Sequence, residues 1–433
     1  MKENPLLNLP KNRKSGIKSG IPSYCTANPL AIEACLEQGK RFDAPVLVEA
    51  TSNQVNQFGG YTGMKPADYR DFVYRIADRI GFDRSKLILG GDHLGPQPFQ
   101  NQPEAEAMEN SKEMVRQYVL AGYTKIHLDT SMRVADDDRN QPLSDRTIAR
   151  RGAILMKVAE EAYQELLATD PEAMHPAFII GSEVPIPGGA QEQEEMCVTK
   201  PEAFEGTVET YKEVFEEAGI GNLMQHVIAV VVQPGVEFGD ADVHIYDRPA
   251  AASLCERLKK HGNVVFEGHS TDYQSPKALK QMVEDGIAIL KVGPALTFAV
   301  REALFALSHI EDEIVDDPAA RSNYIATVEK VMLEDPKNWA KYYKGTDKEI
   351  ALKRAYSYSD RSRYYMGDER INAAMEKLFA NLKDADIPMG MLHQYMPVQY
   401  VGVRDGIIPL CPKALVLDAV RAVCDDYNQA VGL

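Results

Sequence analysis

Long hydrophobic runs are missing from this chain. No stretch approaches the roughly 18 apolar residues that a membrane span needs, so no membrane partner is expected. Cysteine is sparse: Cys25, Cys35, Cys197, Cys255, Cys411 and Cys424 lie far apart and form no CxxC pair. That argues against a zinc knuckle or a disulfide framework and for reduced thiols in a reducing compartment. Positive charge is in deficit, with 48 Lys and Arg against 64 Asp and Glu and a net charge of −16. Such a field repels phosphate backbones, so nucleic acid is not expected as a partner. An anionic ligand would need a local basic or N–H-rich site to overcome it. Met1 to Gly20 is polar and basic with no apolar h-region, so a cytoplasmic location is expected rather than secretion. Two glycine fingerprints are also absent. Cys25-Thr-Ala-Asn-Pro29 is not a dinucleotide loop, and no GxxxxGK(S/T) cradle for nucleotide phosphates occurs.

What is present is alternation. Short apolar, β-branched runs fall at residues 16–25, 45–49, 86–90, 124–129, 177–181, 226–232, 263–267 and 287–291, with helical segments between them. The clearest helical period is Ala107, Met108, Ser111, Met114, Val115, Tyr118 and Val119, ended by Gly122. Strands separated by helices imply parallel pairing, because each return crossover needs a helix. Eight such units suit closure, so the fold class expected is α/β, a (β/α)8 barrel spanning residues 1–317. From Tyr324 onward the pattern is helical with aromatic clusters, and residues 318–433 are expected to be a helical extension packed on the barrel.

In such a barrel the functional groups sit at the C-terminal ends of the strands, above a core of Val, Ile and Leu. Ionisable residues recur there: Glu49, Asp92, His93, His127, Asp129, Glu183, Glu267, His269 and Lys291. The strand period of 2 puts His127 and Asp129 on one face, and likewise Glu267 and His269. Each alone could be structural, as a helix cap, a counter-ion or a satisfied histidine. Together they point at one axis, where burial is costly unless they bind a cation, pair or hold substrate. A divalent metal held by imidazole and carboxylate is therefore expected. Val292-Gly-Pro-Ala-Leu-Thr297, with Gly293 at its turn, follows the eighth strand, where barrels often bind phosphate; Ser270 would supply the other side. Gln57-Phe-Gly-Gly-Tyr-Thr-Gly63 reads equally as a mobile lid or a rigid turn cluster. The run Ser359-Asp-Arg-Ser-Arg-Tyr-Tyr365 reads as a surface helix or, through Arg361, a phosphate clamp.

Several segments together resemble a known family. They are Glu49-Ala-Thr-Ser-Asn-Gln-Val-Asn-Gln-Phe-Gly-Gly-Tyr-Thr-Gly63 (which contains Asn53), Gly90-Gly-Asp-His-Leu-Gly-Pro96, Lys125-Ile-His-Leu-Asp129, Gly181-Ser-Glu-Val-Pro-Ile-Pro-Gly-Gly189, Val231-Val-Gln-Pro-Gly-Val-Glu-Phe238, Glu267-Gly-His-Ser-Thr-Asp-Tyr273 and Lys291-Val-Gly-Pro-Ala-Leu-Thr-Phe298. The likeness is to the larger, Z-type subunit of bacterial D-tagatose-1,6-bisphosphate aldolase and runs through nearly the whole chain. It implies kinship with class II aldolases, in which an Asp-His pair after a barrel strand supplies the acid/base and a zinc ligand; Asp92 and His93 match that pair.

Where catalytic class II aldolases carry further zinc histidines, this chain reads Gly235-Val-Glu237 and Glu267-Gly-His269. The resemblance therefore implies a mixed site built from His93, Glu183, Glu237, Glu267 and His269, for Zn²⁺, Mn²⁺, Ni²⁺ or Mg²⁺. Asp92, Asp129 and Glu183 are the expected catalytic groups. Glu49, Asn53, His127, Ser270, Lys291, Gly293 and Arg361 are the expected substrate or phosphate contacts. The activity implied is C4 epimerisation of a ketohexose or ketohexose phosphate of the fructose–tagatose pair, by retro-aldol and aldol steps. The alternative that family descriptions imply is a non-catalytic subunit supporting a separate aldolase subunit. An oligomer is expected in either case.

Overall fold

A computed structural model describes residues 3–184 and 197–433. Eight parallel strands close into a barrel: β1 (Ile21–Cys25), β2 (Val46–Thr51), β3 (Leu87–Leu94), β4 (Lys125–Leu128), β5 (Ala177–Ile180), β6 (Val227–Val232), β9 (Val265–Gly268) and β10 (Ile287–Val292). A two-stranded antiparallel hairpin, β7 (Glu237–Phe238) and β8 (Val243–His244), stands between β6 and β9. The expected barrel is present. The first strand is shorter than its apolar run: residues 17–20 have no regular structure, and the chain enters β1 only at Ile21. Among the described residues no helix is long and apolar enough to cross a membrane.

Each strand sends alternate side chains inward, as its period demands. The lower inward layer is apolar: Leu47, Ile88, Ala177, Ile179, Ile228, Val265 and Ile289, with Leu6 and Leu9 packed against it from the N-terminal segment. Their outward neighbours, such as Val48, Leu89, Ile126, Phe266 and Leu290, join the larger core beneath the helices. Two residues further along β2, β9 and β10 the inward positions become polar, at Glu49, Glu267 and Lys291, and β4 adds Lys125 and His127, all buried. The apolar layer thus forms the floor, and the charged layer lies on it.

Beyond residue 317 come helices Tyr324–Glu334, Asp347–Tyr356, Glu369–Leu382, Met389–Tyr395, Pro397–Arg404 and Pro412–Val431. The last packs against Pro29–Phe42, Pro276–Glu284 and Pro294–Ile314. Leu415, Val416, Val420 and Cys424 share the continuous core of the barrel helices.

The β3–β4 corner depends on glycine. A Cβ on Gly90 would stand 2.5 Å from the Glu49 Cγ, and one on Gly95 would stand 1.7 Å from the Asp129 carbonyl oxygen. The first gap lets Glu49 lie across β3; the second lets the chain after β3 close on the residue that holds His93. Gly95→Ala forces backbone apart, and overpacking of this kind costs about 1–3 kcal/mol or more. We expect chemical denaturation to show that loss, and a Gly95→Ala variant as stable as wild type would contradict the close approach.

A candidate metal centre at the barrel mouth

A regular strand would send Asp92 and His93 to opposite faces. The β3–β4 register shifts between Gly91 and Leu94, and His93 takes a left-handed backbone, φ 50°. Such a bulge re-aims side chains, and non-glycine residues with positive φ concentrate at functional sites. Here both side chains line the same cavity, about 560 Å³, above the barrel.

Three imidazoles meet beneath it. The ring centroids of His93, His127 and His269 lie 5.2, 5.0 and 5.3 Å apart, pair by pair. Each ring has its own carboxylate: His93 Nδ1 is 2.7 Å from Asp129 Oδ2, His127 Nδ1 is 2.8 Å from Asp92 Oδ1, and His269 Nε2 is 3.0 Å from Glu267 Oε1. A carboxylate takes the proton of one ring nitrogen and leaves the other nitrogen's lone pair free, the tautomer a metal ligand needs. For His127 that free atom is Nε2, which is buried and has no hydrogen-bond partner. The His93 backbone N–H also approaches His127 Nδ1, at 3.3 Å; the shorter Asp92 contact decides the tautomer, because Asp92 is held as a carboxylate and requires a donor.

Below the rings lies a charge network. Lys125 Nζ donates to Glu49 Oε2 at 2.9 Å and to Glu267 Oε1 at 3.1 Å, and Ser23 Oγ donates to Glu49 Oε1. Lys291 Nζ lies 2.9 Å from Asp92 Oδ2 and 3.1 Å from Glu49 Oε2, charge contacts without hydrogen-bond alignment. Burial alone would raise the acids and lower the bases, but the neighbours outweigh it. His93, Lys291 and His127 hold Asp92 well below the usual carboxylate range, and Asp129 is held at about 2 by His93. Burial lowers His93 while Asp92 and Asp129 raise it, for a net rise; burial dominates at His269, which falls to about 4. The layer contains four carboxylates (Glu49, Asp92, Asp129, Glu267) and two ammonium groups (Lys125, Lys291), all at most 4% exposed. Were all three imidazoles neutral, the layer would be two charges negative, which one divalent cation would balance; the raised His93 works against part of that deficit when no ion is bound.

The residues present fit such an ion. Asp92, His127, Glu267 and His269 each place a ligand atom within 4.8 Å of the others'. Glu183 is elsewhere: it is exposed and accepts the Thr199 hydroxyl at 2.7 Å. The stretch from Pro185 to Gly189 of its motif lies outside the described residues. Glu237 is on the hairpin, where burial pushes its carboxyl up to about 7 and Oε1 accepts the Phe238 N–H at 2.9 Å. Neither belongs to the four-residue group, and His93, whose Nδ1 is taken by Asp129, also stands outside it.

Among the expected substrate contacts, Asn53, Ser270, Lys291 and Gly293 line the cavity. Arg361 does not. It is buried under the ring of Tyr342, 3.2 Å from its centroid, and Nη1 donates to the Asn338 carbonyl. Arg363, two residues on, lines the cavity instead. The glycine-rich loop is a hydrogen-bonded turn cluster: Asn56 Oδ1 accepts from the Phe58 and Gly60 amides, and Thr62 Oγ1 donates to the Gln54 carbonyl at 2.7 Å. Its Tyr61 packs edge-on to Tyr364, centroids 4.8 Å apart, so the helical tail roofs the cavity from the opposite side.

Sequence reasoning passed over Lys125 and Asp272. Lys125 had a signal, since it precedes His127 by one strand period. Asp272 had none, because its role depends on a turn after β9.

The model of the family described as D-tagatose-1,6-bisphosphate aldolase subunit GatZ/KbaZ-like matches residues 6–432. The crystal structure of a probable tagatose 6 phosphate kinase from Sinorhizobium meliloti 1021 is 47% identical, covering 95% of this chain and 100% of that one, with a TM-score of 0.86. The YdjI aldolase from Escherichia coli K12 aligns at 10% identity over 86% of this chain and 97% of its own, TM-score 0.39. Fructose-bisphosphate aldolase from Campylobacter jejuni aligns at 13% over 86% and 89%, TM-score 0.43. The barrel is read from its own strand order, not from these two distant alignments. A match running from the N-terminal helix to the last one, with a solved relative nearly half identical, makes this chain a member of the GatZ/KbaZ-like family of D-tagatose-1,6-bisphosphate aldolase subunits.

Proposed function

We propose that this chain is a metal-dependent enzyme for ketohexoses of the fructose–tagatose pair, inverting C4 by retro-aldol cleavage and re-addition. The observation that carries this reading is the triangle of carboxylate-backed imidazoles beside Asp92 and Lys291, facing a sugar-sized cavity. His127, His269 and Glu267 would hold the ion, with Asp92 close enough to share it, and the His93 ring stands beside them. A mixed set of two imidazoles and two carboxylates suits Zn²⁺, Ni²⁺ or Mn²⁺. When bound, a divalent cation supplies Lewis acidity at the ketose carbonyl.

The chain's own groups handle the protons. A C4 hydroxyl that takes the place of Lys291 on Asp92 Oδ2 gives its proton to that oxygen. The C3–C4 bond then opens to an enediolate and an aldehyde, and the aldehyde turns over in the cavity. Re-addition from its other face makes an alkoxide, which takes a proton from Lys291. Of Asp129, His127 and Lys291, the spare groups at this mouth, Lys291 is the one that lines the cavity. The 2.9 Å contact between Lys291 and Asp92 returns the proton, so the pair ends each turnover as it began.

The second reading is a non-catalytic subunit that supports a separate aldolase subunit, as the family's description suggests. A kinase, the activity in the solved relative's name, has less support, since the sequence carries no P-loop and the floor of the cavity is acidic.

The purified chain, loaded with Zn²⁺, Ni²⁺ or Mn²⁺, should convert D-fructose to D-tagatose with no partner present. His127→Ala should reduce bound metal and activity together. Removing a proton-transfer group costs about 10²–10⁴ in turnover, so Lys291→Gln should keep its metal and lose kcat by that factor. Glu183→Gln should leave metal content unchanged. Silence of the wild type on free and phosphorylated ketohexoses, relieved only by a separate aldolase subunit, would replace this reading with the second.

A further inference from the structure

The helix N-terminus after the last barrel strand is a common phosphate cup in this architecture, because its amides point into the mouth. In this chain the cup is already filled. Asp272, 2% exposed, places Oδ1 3.0 Å from the Gly293 N–H and 2.8 Å from the Ala295 N–H of helix Pro294–Ile314. Pro294 has no N–H, and the Leu296 N–H donates to the Gly293 carbonyl at 3.0 Å. Across the turn, the Thr271 N–H donates to the Lys291 carbonyl at 3.2 Å. An incoming phosphate would find these amides taken and a buried carboxyl group in its place. Arg363 offers little compensation: Nη1 donates to the Ser359 and Asp360 carbonyls and Nη2 to the Tyr364 hydroxyl.

We infer that Asp272 is a specificity residue that selects an unphosphorylated sugar terminus, accepting a hydroxyl hydrogen where a phosphate would otherwise bind. The inference rests on the ketohexose reading for its ligand, but the filled cup itself does not depend on catalysis. It has a consequence that holds whichever way the sugar lies. A ketohexose 1,6-bisphosphate carries phosphate at both ends, so one of them must meet Asp272.

Binding to the metal-loaded chain tests this, with D-fructose, its 1- and 6-phosphates, its 1,6-bisphosphate and inorganic phosphate as probes. Like-charge juxtaposition should make the bisphosphate bind wild type on the order of 100-fold more weakly than D-fructose. Asp272→Ser, which empties the cup, should remove most of that difference and let inorganic phosphate raise the variant's melting temperature but not the wild type's. Asp272→Asn keeps an acceptor for both amides without the charge, so it serves as the folding control and should recover part of the bisphosphate affinity. Equal wild-type affinity for D-fructose and its bisphosphate, or a ratio unmoved by both variants, would overturn the assignment. If no sugar binds wild type, the ketohexose reading fails, and the phosphate-dependent melting shift still decides the role of Asp272.

Discussion

Three imidazoles enclosed in one buried space, each tied to a separate carboxylate, impose the condition on which the rest of this molecule turns. A buried neutral ring whose donor side is taken must find a use for its other nitrogen. His127 Nε2 shows the condition most plainly, being buried with nothing to bond. Beneath the rings the acids outnumber the amines, so the layer is short of positive charge. A small divalent cation meets both demands at once, which a hydrogen-bonded side chain or a single water would not.

The fold is arranged to maintain that condition. An apolar inner layer, closed from below by Leu6 and Leu9, supports the charged layer and keeps it from solvent. Glycines at β3 let Glu49 reach across to both lysines, and the bulge at His93 turns two consecutive side chains toward one cavity. The helical tail is part of the same device. Its core merges with that of the barrel helices, and Arg363, Tyr364 and Met366 form the wall facing the charged floor. The cavity is enclosed by both parts of the chain, with the filled helix N-terminus at its side.

The barrel was legible because its signals are local. Each β-branched run is bounded by turn residues, and each helix shows its 3.6-residue period, as in Ala107 to Val119. The inward direction of Glu49, His127, Glu267 and Lys291 also followed from the two-residue period of their strands. What escaped depends on contacts between distant segments. Whether Arg361 or Arg363 faces the cavity is decided by the 3-10 turn Arg361–Tyr364 and by stacking on Tyr342, which no periodicity encodes. Glu183 follows a strand as regularly as the others, yet the chain leaves β5 in a direction that carries its side chain out to solvent. His127 was expected to touch substrate, and its place among three rings became visible only when β3, β4 and β9 were brought side by side.

Anomalous diffraction from crystals of the zinc- or nickel-loaded protein, collected at the metal's absorption edge, addresses the central assignment most directly. One peak per chain is expected between the rings of His93, His127 and His269, in bonding contact with His127 Nε2. A peak bound instead by Glu183 or Glu237, or no peak among the three rings in fully loaded protein, would contradict a buried imidazole centre at this mouth.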